Sequence, residues 1–200
     1  MEMKGFRSSS PFPYPLMATS VIALLVLSSN IKNCLATNTS YIKSSCASTR
    51  YAKLCYSSLS AYASTVGTNH TKLAIVALNV SLSATQNTSA LVTEMSNRHG
   101  MMINETNAIK DCVYEVGDAI CELQQSLEEM KVLGGSDFEY KKNSIETWVS
   151  AALTDDETYL DGMDGYNKTG KVEKSIRKSV KNTARLTSNA LEIVDCLTQD

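Results

Sequence analysis

Apolar residues recur along most of the chain at the spacing of an α-helix. Between residues 106 and 131 they follow one another at alternating intervals of four and three, which places them in one stripe along a helix. The Gly134-Gly135-Ser136 sequence then ends the helix. The stripe is expected to face a core and consists of Ile109, Val113, Val116, Ile120, Leu123, Leu127 and Met130.

Three further segments carry the same periodicity, and no segment alternates as a β-strand does. They predict long helices at about 71–97, 138–160 and 171–197, with a shorter helical segment at 41–66 before them. No proline follows Pro15, which favours uninterrupted helices, and short connections favour antiparallel neighbours. The predicted fold class is all-α: an up-down four-helix bundle with an N-terminal helical hairpin.

The first 36 residues are predicted to be a signal peptide rather than part of the fold. Lys4 and Arg7 give a basic start, and the apolar run at 16–27 is too short to span a bilayer. Small residues precede a plausible cleavage site after Ala36. The alternative is a short membrane anchor. The remaining residues, 37–200, are predicted to form one domain.

Charge and motif content argue against several classes of protein. Removing the predicted leader leaves sixteen basic and twenty acidic residues, a net charge of about −4, and no basic patch stands out. Neither nucleic acid nor a membrane is therefore an expected partner. His70 and His99 lack metal-ligand spacing, and HExxH and CxxC motifs are absent. The sequence predicts no metal, no cofactor and no catalytic site.

Six Asn-x-Ser/Thr sequons accompany the predicted leader, and they support secretion. Two of them, at Asn79 and Asn87, fall inside a predicted helix and are expected to be sterically poorer acceptors. The candidate N-glycosylation sites are Asn38, Asn69, Asn79, Asn87, Asn104 and Asn167.

Several motifs together resemble the plant invertase and pectin methylesterase inhibitor family. Two cysteines separated by eight residues stand near the start of the predicted mature chain, as in the family opening. The most specific match is the segment Trp148–Gly162. The other matching motifs are Cys46 and Cys55 with Thr49, Tyr51 and Leu59, then Leu78–Ser83, Ala108–Cys112 and Ser126–Glu129.

The resemblance implies a secreted, non-enzymatic protein that blocks a cell-wall enzyme in the apoplast. Family members that inhibit pectin methylesterase cover its active-site cleft in a one-to-one complex. Family members that inhibit acid invertase insert a loop carrying a Pro-Lys-Phe motif. The loop at 161–171 contains no proline, so pectin methylesterase is the predicted partner. Acid invertase is the alternative target, and a secreted bundle of the same family that inhibits nothing is the third reading.

The predicted target contacts are Asp155, Asp156 and Thr158, together with the polar face of 71–97. The alternative is that the two aspartates only end a helical region and keep it soluble. Because negative charge shrinks as carboxylates protonate, target binding is expected to depend on pH.

The resemblance also implies two disulfides. The first joins Cys46 to Cys55, a spacing that suits a staple across a helical hairpin. The second joins Cys112 to the residue after Thr158, which in this chain is Tyr159. Cys112 therefore lacks its usual partner, and a lower stability than that of two-bridge relatives is expected, offset in part by packing of Tyr159.

Neither remaining cysteine is well placed to replace the missing partner. Cys121 lies nine residues after Cys112, on the opposite face of the helix and about 13.5 Å along its axis. Bridged Cα atoms lie within about 6.8 Å. Cys196 is expected at the other end of the bundle. We predict that Cys112, Cys121 and Cys196 are free, and that Cys121 is the candidate for a disulfide-linked dimer.

Overall fold

The computed structural model describes residues 36–97, 103–163 and 171–199. Thr37–Asp200 form one compact unit, and the described residues contain helices and turns but no strand. The predicted all-α fold is confirmed. The predicted leader and residues 164–170 of the predicted loop lie outside the described residues. The helices are α1 (36–47), α2 (Ala52–Leu59), α3 (Ala63–Val66), α4 (His70–Ser96), α5 (Ile103–Lys131), α6 (Phe138–Met163) and α7 (Lys171–Asp195), with a 3-10 turn at Ser60–Tyr62.

The four long helices form a square in which each packs against two neighbours. α4 contacts α5 and α7, and α6 contacts the same two, so α4 and α6 lie diagonally opposite, as do α5 and α7. Two hydroxyl pairs show that α4 and α7 run in opposite directions: Ser81 bonds to Thr187 at 2.6 Å and Thr88 bonds to Ser179 at 2.7 Å. The predicted up-down bundle is confirmed.

Two apolar clusters fill the interior, one at each end of the bundle. The first joins the hairpin to the start of α4 and the end of α7, with Ile42, Leu73 and Ile193 fully enclosed. The second joins the end of α4 to the start of α7, with Val92 and Val180 at its centre. The hairpin therefore extends the core at one end only.

The α5 stripe differs from its prediction at one position. Val113 is 44% exposed, whereas its neighbour Cys112 is fully buried in the second cluster. The inward row at this level runs through Ile109, Cys112 and Val116, at spacings of three and four that are equally helical. Periodicity alone does not distinguish these two neighbouring rows.

A disulfide and a pair of backbone-directed side chains hold the hairpin. Cys46 and Cys55 are bonded, with their Cα atoms 5.6 Å apart. Asn189 on α7 is buried and clamps the hairpin turn: its side-chain oxygen accepts from the Tyr51 N–H at 3.1 Å, and its amide donates to the Tyr51 carbonyl at 3.3 Å. The carboxylate of Glu192 accepts from the Arg50 N–H at 2.8 Å. The turn between α1 and α2 is thus fixed to α7.

His70, the first residue of α4, connects the same elements. Its Nε2 lies 3.0 Å from the carbonyl oxygen of Ile193 on α7, and that oxygen only accepts hydrogen bonds. Nε2 is therefore the donor, which leaves Nδ1 to accept from the Tyr41 hydroxyl at 3.2 Å. The imidazole serves as a bridge between α1 and α7 and has no sign of a chemical role.

Candidate functional site

The predicted target contacts lie in the last turns of α6 but do not share one face. Residues three apart on a helix lie on the same side, as Asp155 and Thr158 do, whereas adjacent residues point about 100° apart. Thr158 is exposed and Asp155 is half-buried, but Asp156 is only 1% exposed. The expectation that Asp156 contacts a target is wrong, because its carboxyl group points into the bundle.

Asp156 instead joins α6 to α7. The hydroxyl of Thr183 donates to its Oδ1 at 3.0 Å, while its Oδ2 has no hydrogen-bond partner among the described residues. Burial raises the pKa of Asp156 to about 7, and the hydrogen bond from Thr183 opposes only part of that shift. An uncompensated buried charge is costly, so this carboxyl group favours its protonated form in the fold.

Asp155 faces a row of acids on α5. We call this group the acidic seam. In this group the Asp155 carboxyl group of α6 faces four acidic side chains of α5, which are spaced four, three and four residues apart and so lie on one side of that helix. Desolvation and then the neighbouring carboxylates raise the pKa of Glu115, and burial raises that of Asp155. The members are Asp111, Glu115, Asp118, Glu122 and Asp155.

Within the seam, Glu122 on α5 contacts Asp155 on α6. Their carboxyl groups lie within hydrogen-bonding reach, and Glu122 Oε2 and Asp155 Oδ2 are buried and have no hydrogen-bond partner among the described residues. Two carboxylates are joined only through a proton. Burial, and then the Asp155 charge, raises the pKa of Glu122 to about 7, so ionising both carboxyl groups of the pair is unfavourable in the fold.

One large side chain, Tyr114, stands beside the acidic seam on the outer side of α5, whereas Val113 lies about 100° around the helix from it and away from the seam. Tyr114 is 68% exposed and Val113 is 44% exposed. Tyr114 lies within one turn of Asp111 and Asp118, which are also exposed. An exposed tyrosine ringed by polar groups is the composition of an interface anchor. We call Tyr114, Asp118, Asp155 and Thr158 the docking surface.

The sequence contained a signal for the α5 part of this surface. The four α5 acids recur at the same four-three-four spacing as the apolar stripe, displaced around the helix. The contact of these acids with Asp155 was not predictable from the sequence, because it depends on how α5 and α6 pack.

Other chemistries lack support in the described part of the chain. Within 36–97, 103–163 and 171–199, no three His, Cys, Asp or Glu side chains come together as metal ligands would. None of the helices in these ranges combines the length and the hydropathy that crossing a membrane requires.

The three described free cysteines differ sharply in their surroundings. Cys121 and Cys196 are exposed, whereas Cys112 is buried against Tyr159, and burial raises the pKa of its thiol to about 12. The Tyr159 hydroxyl faces that thiol without completing a hydrogen bond of standard geometry, and burial raises its pKa too. Tyr159 therefore fills the place of the absent disulfide by packing. Cys112 belongs to the second apolar cluster, whereas Leu197, the residue next to Cys196, belongs to the first. Cys112 and Cys196 therefore lie toward opposite ends of the bundle.

The sequons whose side chains are described fall into two groups. Asn69, Asn79 and Asn87 are exposed on α4 or at its N-cap, whereas Asn38 is buried. The Asn104 side chain and the whole of Asn167 lie outside the described residues.

Comparison with known proteins finds a matching family model and several similar chains. The family model described as plant invertase/pectin methylesterase inhibitor matches residues 40–193. Pectinesterase inhibitor 10 from Arabidopsis thaliana is 44% identical over 80% of this chain, which spans about half (51%) of that relative's length. The 21 kDa protein of Daucus carota is 42% identical, with 78% of this chain and 82% of the relative covered. Pectinesterase inhibitor 11 from Arabidopsis thaliana is 35% identical, with 78% and 79% covered.

A solved structure supports the fold independently. A mutant form of a pectin methylesterase inhibitor from Arabidopsis superimposes with a TM-score of 0.65, covering 78% of this chain and 95% of that chain at 21% identity.

Proposed function

The chain belongs to the plant invertase/pectin methylesterase inhibitor family, and from this premise we propose that it is a secreted inhibitor of pectin methylesterase in the cell wall. The observation that carries the proposal is the 44% identity to a relative named as a pectinesterase inhibitor. The lack of any proline after Pro15 also disfavours the loop-insertion motif of the invertase inhibitors. Acid invertase is the alternative target.

The proposed complex is one-to-one, with the docking surface of α5 and α6 laid over the enzyme's active-site cleft. A bundle of long, packed helices loses little conformational entropy on association. Stable complexes of this kind bury about 1,600 Å² in total. Tyr114 is the proposed anchor because it combines a large apolar area with few rotatable bonds. Asp118, Asp155 and Thr158 supply polar contacts at its rim.

Glycosylation is the reason to prefer this surface to the outer face of α4. Asn69 and Asn87 are eighteen residues apart, which is five helical turns and about 27 Å along one side of α4. Asn79 lies about 80° around the helix from that line. Asn79 and Asn87 lie inside α4, where poorer acceptors are expected, but both side chains are exposed. Sugars at these exposed asparagines would cover the polar face of 71–97 that the sequence suggested as a contact. α6 lies diagonally opposite α4 and stays clear.

The N-cap of α4 is compatible with a sugar. The Oδ1 of Asn69 accepts from the Lys72 N–H at 2.7 Å, whereas an N-linked sugar attaches at Nδ2. Asn38 is expected to remain unmodified because it is buried. Glycopeptide mass spectrometry after enzymatic deglycosylation in heavy-oxygen water reads each site separately.

Titration of the purified mature protein against a pectin methylesterase and an acid invertase, each near pH 5, tests the function. We expect inhibition of the methylesterase that saturates at one equivalent. Inhibition of the invertase alone would support the alternative target, and inhibition of neither would refute the proposal.

A matched pair of variants tests the docking surface. Tyr114→Ala is expected to weaken inhibition by ten- to a hundredfold. Tyr140→Ala is the control, because Tyr140 is 74% exposed near the start of α6, at the other end of the bundle.

A sugar placed on purpose gives a second test. Asp111→Asn with Val113→Thr creates a sequon on the outer side of α5, and the sugar is expected to abolish binding. Asp111→Asn with Val113→Ala makes nearly the same change without a sequon. Equal inhibition by the two would show that the target docks elsewhere.

A further inference from the structure

The outward side of α7 carries a row of cations with no exposed acid among them. Between residues 171 and 185, every exposed α7 side chain is Lys, Arg, Ser or Asn. The acid in this stretch, Glu173, is half-buried and pairs with Arg177 at 3.9 Å. The expectation that the chain has no basic patch is wrong here, because the net charge hides the clustering. The row of cations comprises Lys171, Lys174, Lys178, Lys181 and Arg185.

The row is straight and long. Its members are spaced three, four, three and four residues apart, so they fall within an arc of about 80° and extend about 21 Å along α7. No ion pair joins its four lysines to any acid among the described residues. Like charges this close repel one another, so their alignment does not stabilise the helix.

The hairpin lengthens the row at one end. The Arg185 guanidinium lies over the Tyr51 ring at 5.4 Å from its centre, and that of Arg50 lies over it at 5.6 Å. The backbone of the same turn is held by Asn189 and Glu192, so these two cations rest on a fixed support. A continuous basic strip therefore runs from the start of α7 to the hairpin turn.

We propose that this basic strip binds a linear acidic polysaccharide, a polymer that carries carboxylates at regular intervals along an extended chain. A strip of cations in one line matches a line of anionic groups, and lysine ammonium groups act as point charges that need no particular carboxylate orientation. A folded acidic protein would instead present scattered charges over a broad face.

Two other polyanions fit the strip less well. Single-stranded nucleic acids need aromatic platforms between the cations. The exposed α7 residues of this stretch include none, and the Tyr51 ring at the end of the strip is half-buried and lies under the Arg50 and Arg185 guanidinium groups. Anionic membranes bind basic helices that also insert an apolar face, but the apolar face of α7 is packed in the bundle, with Ile176, Val180 and Ile193 buried.

The inference rests on the proposed secretion, because an acidic wall polymer is met only outside the cell. It also deepens the proposed function: a pectin methylesterase frees carboxylates on a uronic acid polymer, so the strip would hold the inhibitor where its target has acted. α7 lies diagonally opposite α5, so Tyr114 and the basic strip stand on different sides of the bundle.

The test measures retention of the glycosylated full-length mature protein on immobilised polygalacturonate at pH 5 in 20–500 mM salt. We expect binding at low salt that weakens steeply as salt rises. Lys174→Gln, Lys178→Gln and Lys181→Gln together should weaken binding at least tenfold. The matched control replaces three exposed lysines elsewhere, Lys43, Lys53 and Lys110, and should change it less than threefold. Melting temperatures verify that both variants are folded.

Three results would overturn the proposal: no retention at low salt, equal retention of the two triple variants, or equal affinity for single-stranded DNA or phosphatidylserine vesicles. Inhibition of soluble pectin methylesterase is measured on the same samples. Retention without inhibition refutes the proposed target but leaves polymer binding intact, and inhibition without retention does the reverse.

Discussion

Thr183 donates a hydrogen bond of 3.0 Å to Asp156 across the α6–α7 interface, and both side chains are buried. The bond satisfies one carboxyl oxygen and leaves the other without a partner in the described structure. Burial raises the pKa of Asp156 to about 7, against 3.8 for the free side chain. The folded protein thus keeps a proton that the unfolded chain releases, and Glu122 behaves in the same way.

The free energy of unfolding is therefore predicted to fall as pH rises from about 4 to about 7. In that window the folded state binds more protons than the unfolded state, so each upward step in pH favours unfolding. The loss is on the order of a few kcal/mol, most of it from Asp156, since Glu122 is more open to solvent. Urea denaturation at pH 5 and pH 8 measures it.

Asp156→Asn is the matched variant for this pH effect. An amide keeps an acceptor for Thr183 but does not ionise, so much of the pH dependence should vanish. Glu139→Gln, at an exposed position near the start of α6 and absent from the charges that act on Asp156, should leave the slope unchanged. A wild-type slope in Asp156→Asn would show that other groups cause the effect.

Thiol labelling is predicted to separate the free cysteines. Iodoacetamide at pH 8 should modify Cys121 and Cys196 within minutes, because alkylation requires an exposed thiolate. Cys112 should react only after denaturation, since burial raises its pKa to about 12. Peptide mass spectrometry reads each site. Native labelling of Cys112 at the rate of Cys121 would mean that the second cluster opens readily.

The disulfide-linked dimer through Cys121 stays a prediction. It can be tested because the Cys121 thiol is exposed and can react with a disulfide reagent. Oxidised glutathione supplies the disulfide that two Cys121 thiols exchange with, releasing two glutathione thiols. Cys121→Ser should remove the dimer band on a non-reducing gel, whereas Cys196→Ser should leave it.

Tyr159→Cys is predicted to form a disulfide with Cys112. The loop closed would hold about 48 residues, and the chain-entropy estimate for it is about 4 kcal/mol. Replacing the buried tyrosine costs a similar amount, about 3–5 kcal/mol, so wild type is not the right comparison. Tyr159→Ser loses the same packing without the bridge, and the oxidised cysteine variant should exceed it by about 4 kcal/mol in urea. Equal stability of the oxidised Tyr159→Cys variant and the Tyr159→Ser variant would show that residue 159 and Cys112 are too far apart to form a disulfide.

Much of the fold was predictable from sequence because apolar periodicity reports helices directly. The observed α4 and α5 differ from the predicted ranges by only a few residues, and α6 continues to Met163 rather than ending near Leu160. The direction in which a single side chain points was harder to predict. That Asp155 and Asp156 point apart follows from helix geometry, but which of them enters the core depends on where α7 packs.

The basic strip shows a different limit. Its three-four spacing was present in the sequence at 171–185, but a search for apolar stripes does not register lysines. The contribution of Arg50 was not predictable, because it comes from the hairpin turn, which meets α7 through tertiary contacts such as those with Asn189 and Glu192.

Asn189→Ala is predicted to loosen the hairpin. It leaves the half-buried Tyr51 N–H without its partner, at a cost of about 1–3 kcal/mol, whereas the Tyr51 carbonyl still accepts from the Cys55 N–H at 2.9 Å. Hydrogen exchange should rise across residues 36–66 while α5 stays protected. Asn182→Ala, at an exposed α7 position, is the control. Unchanged exchange in the hairpin would show that the disulfide and the apolar contacts suffice.

The Asn189 clamp also sets an order of events as the chain leaves the ribosome. The clamp joins Tyr51 to a residue 138 positions later, so the first part of the domain to emerge waits for nearly the last. Until then the hairpin has only its disulfide and α4 to hold it, with apolar surface exposed to other nascent chains. Closing so distant a contact is slow, which makes the arrival of α7 the step that commits the domain to its native state.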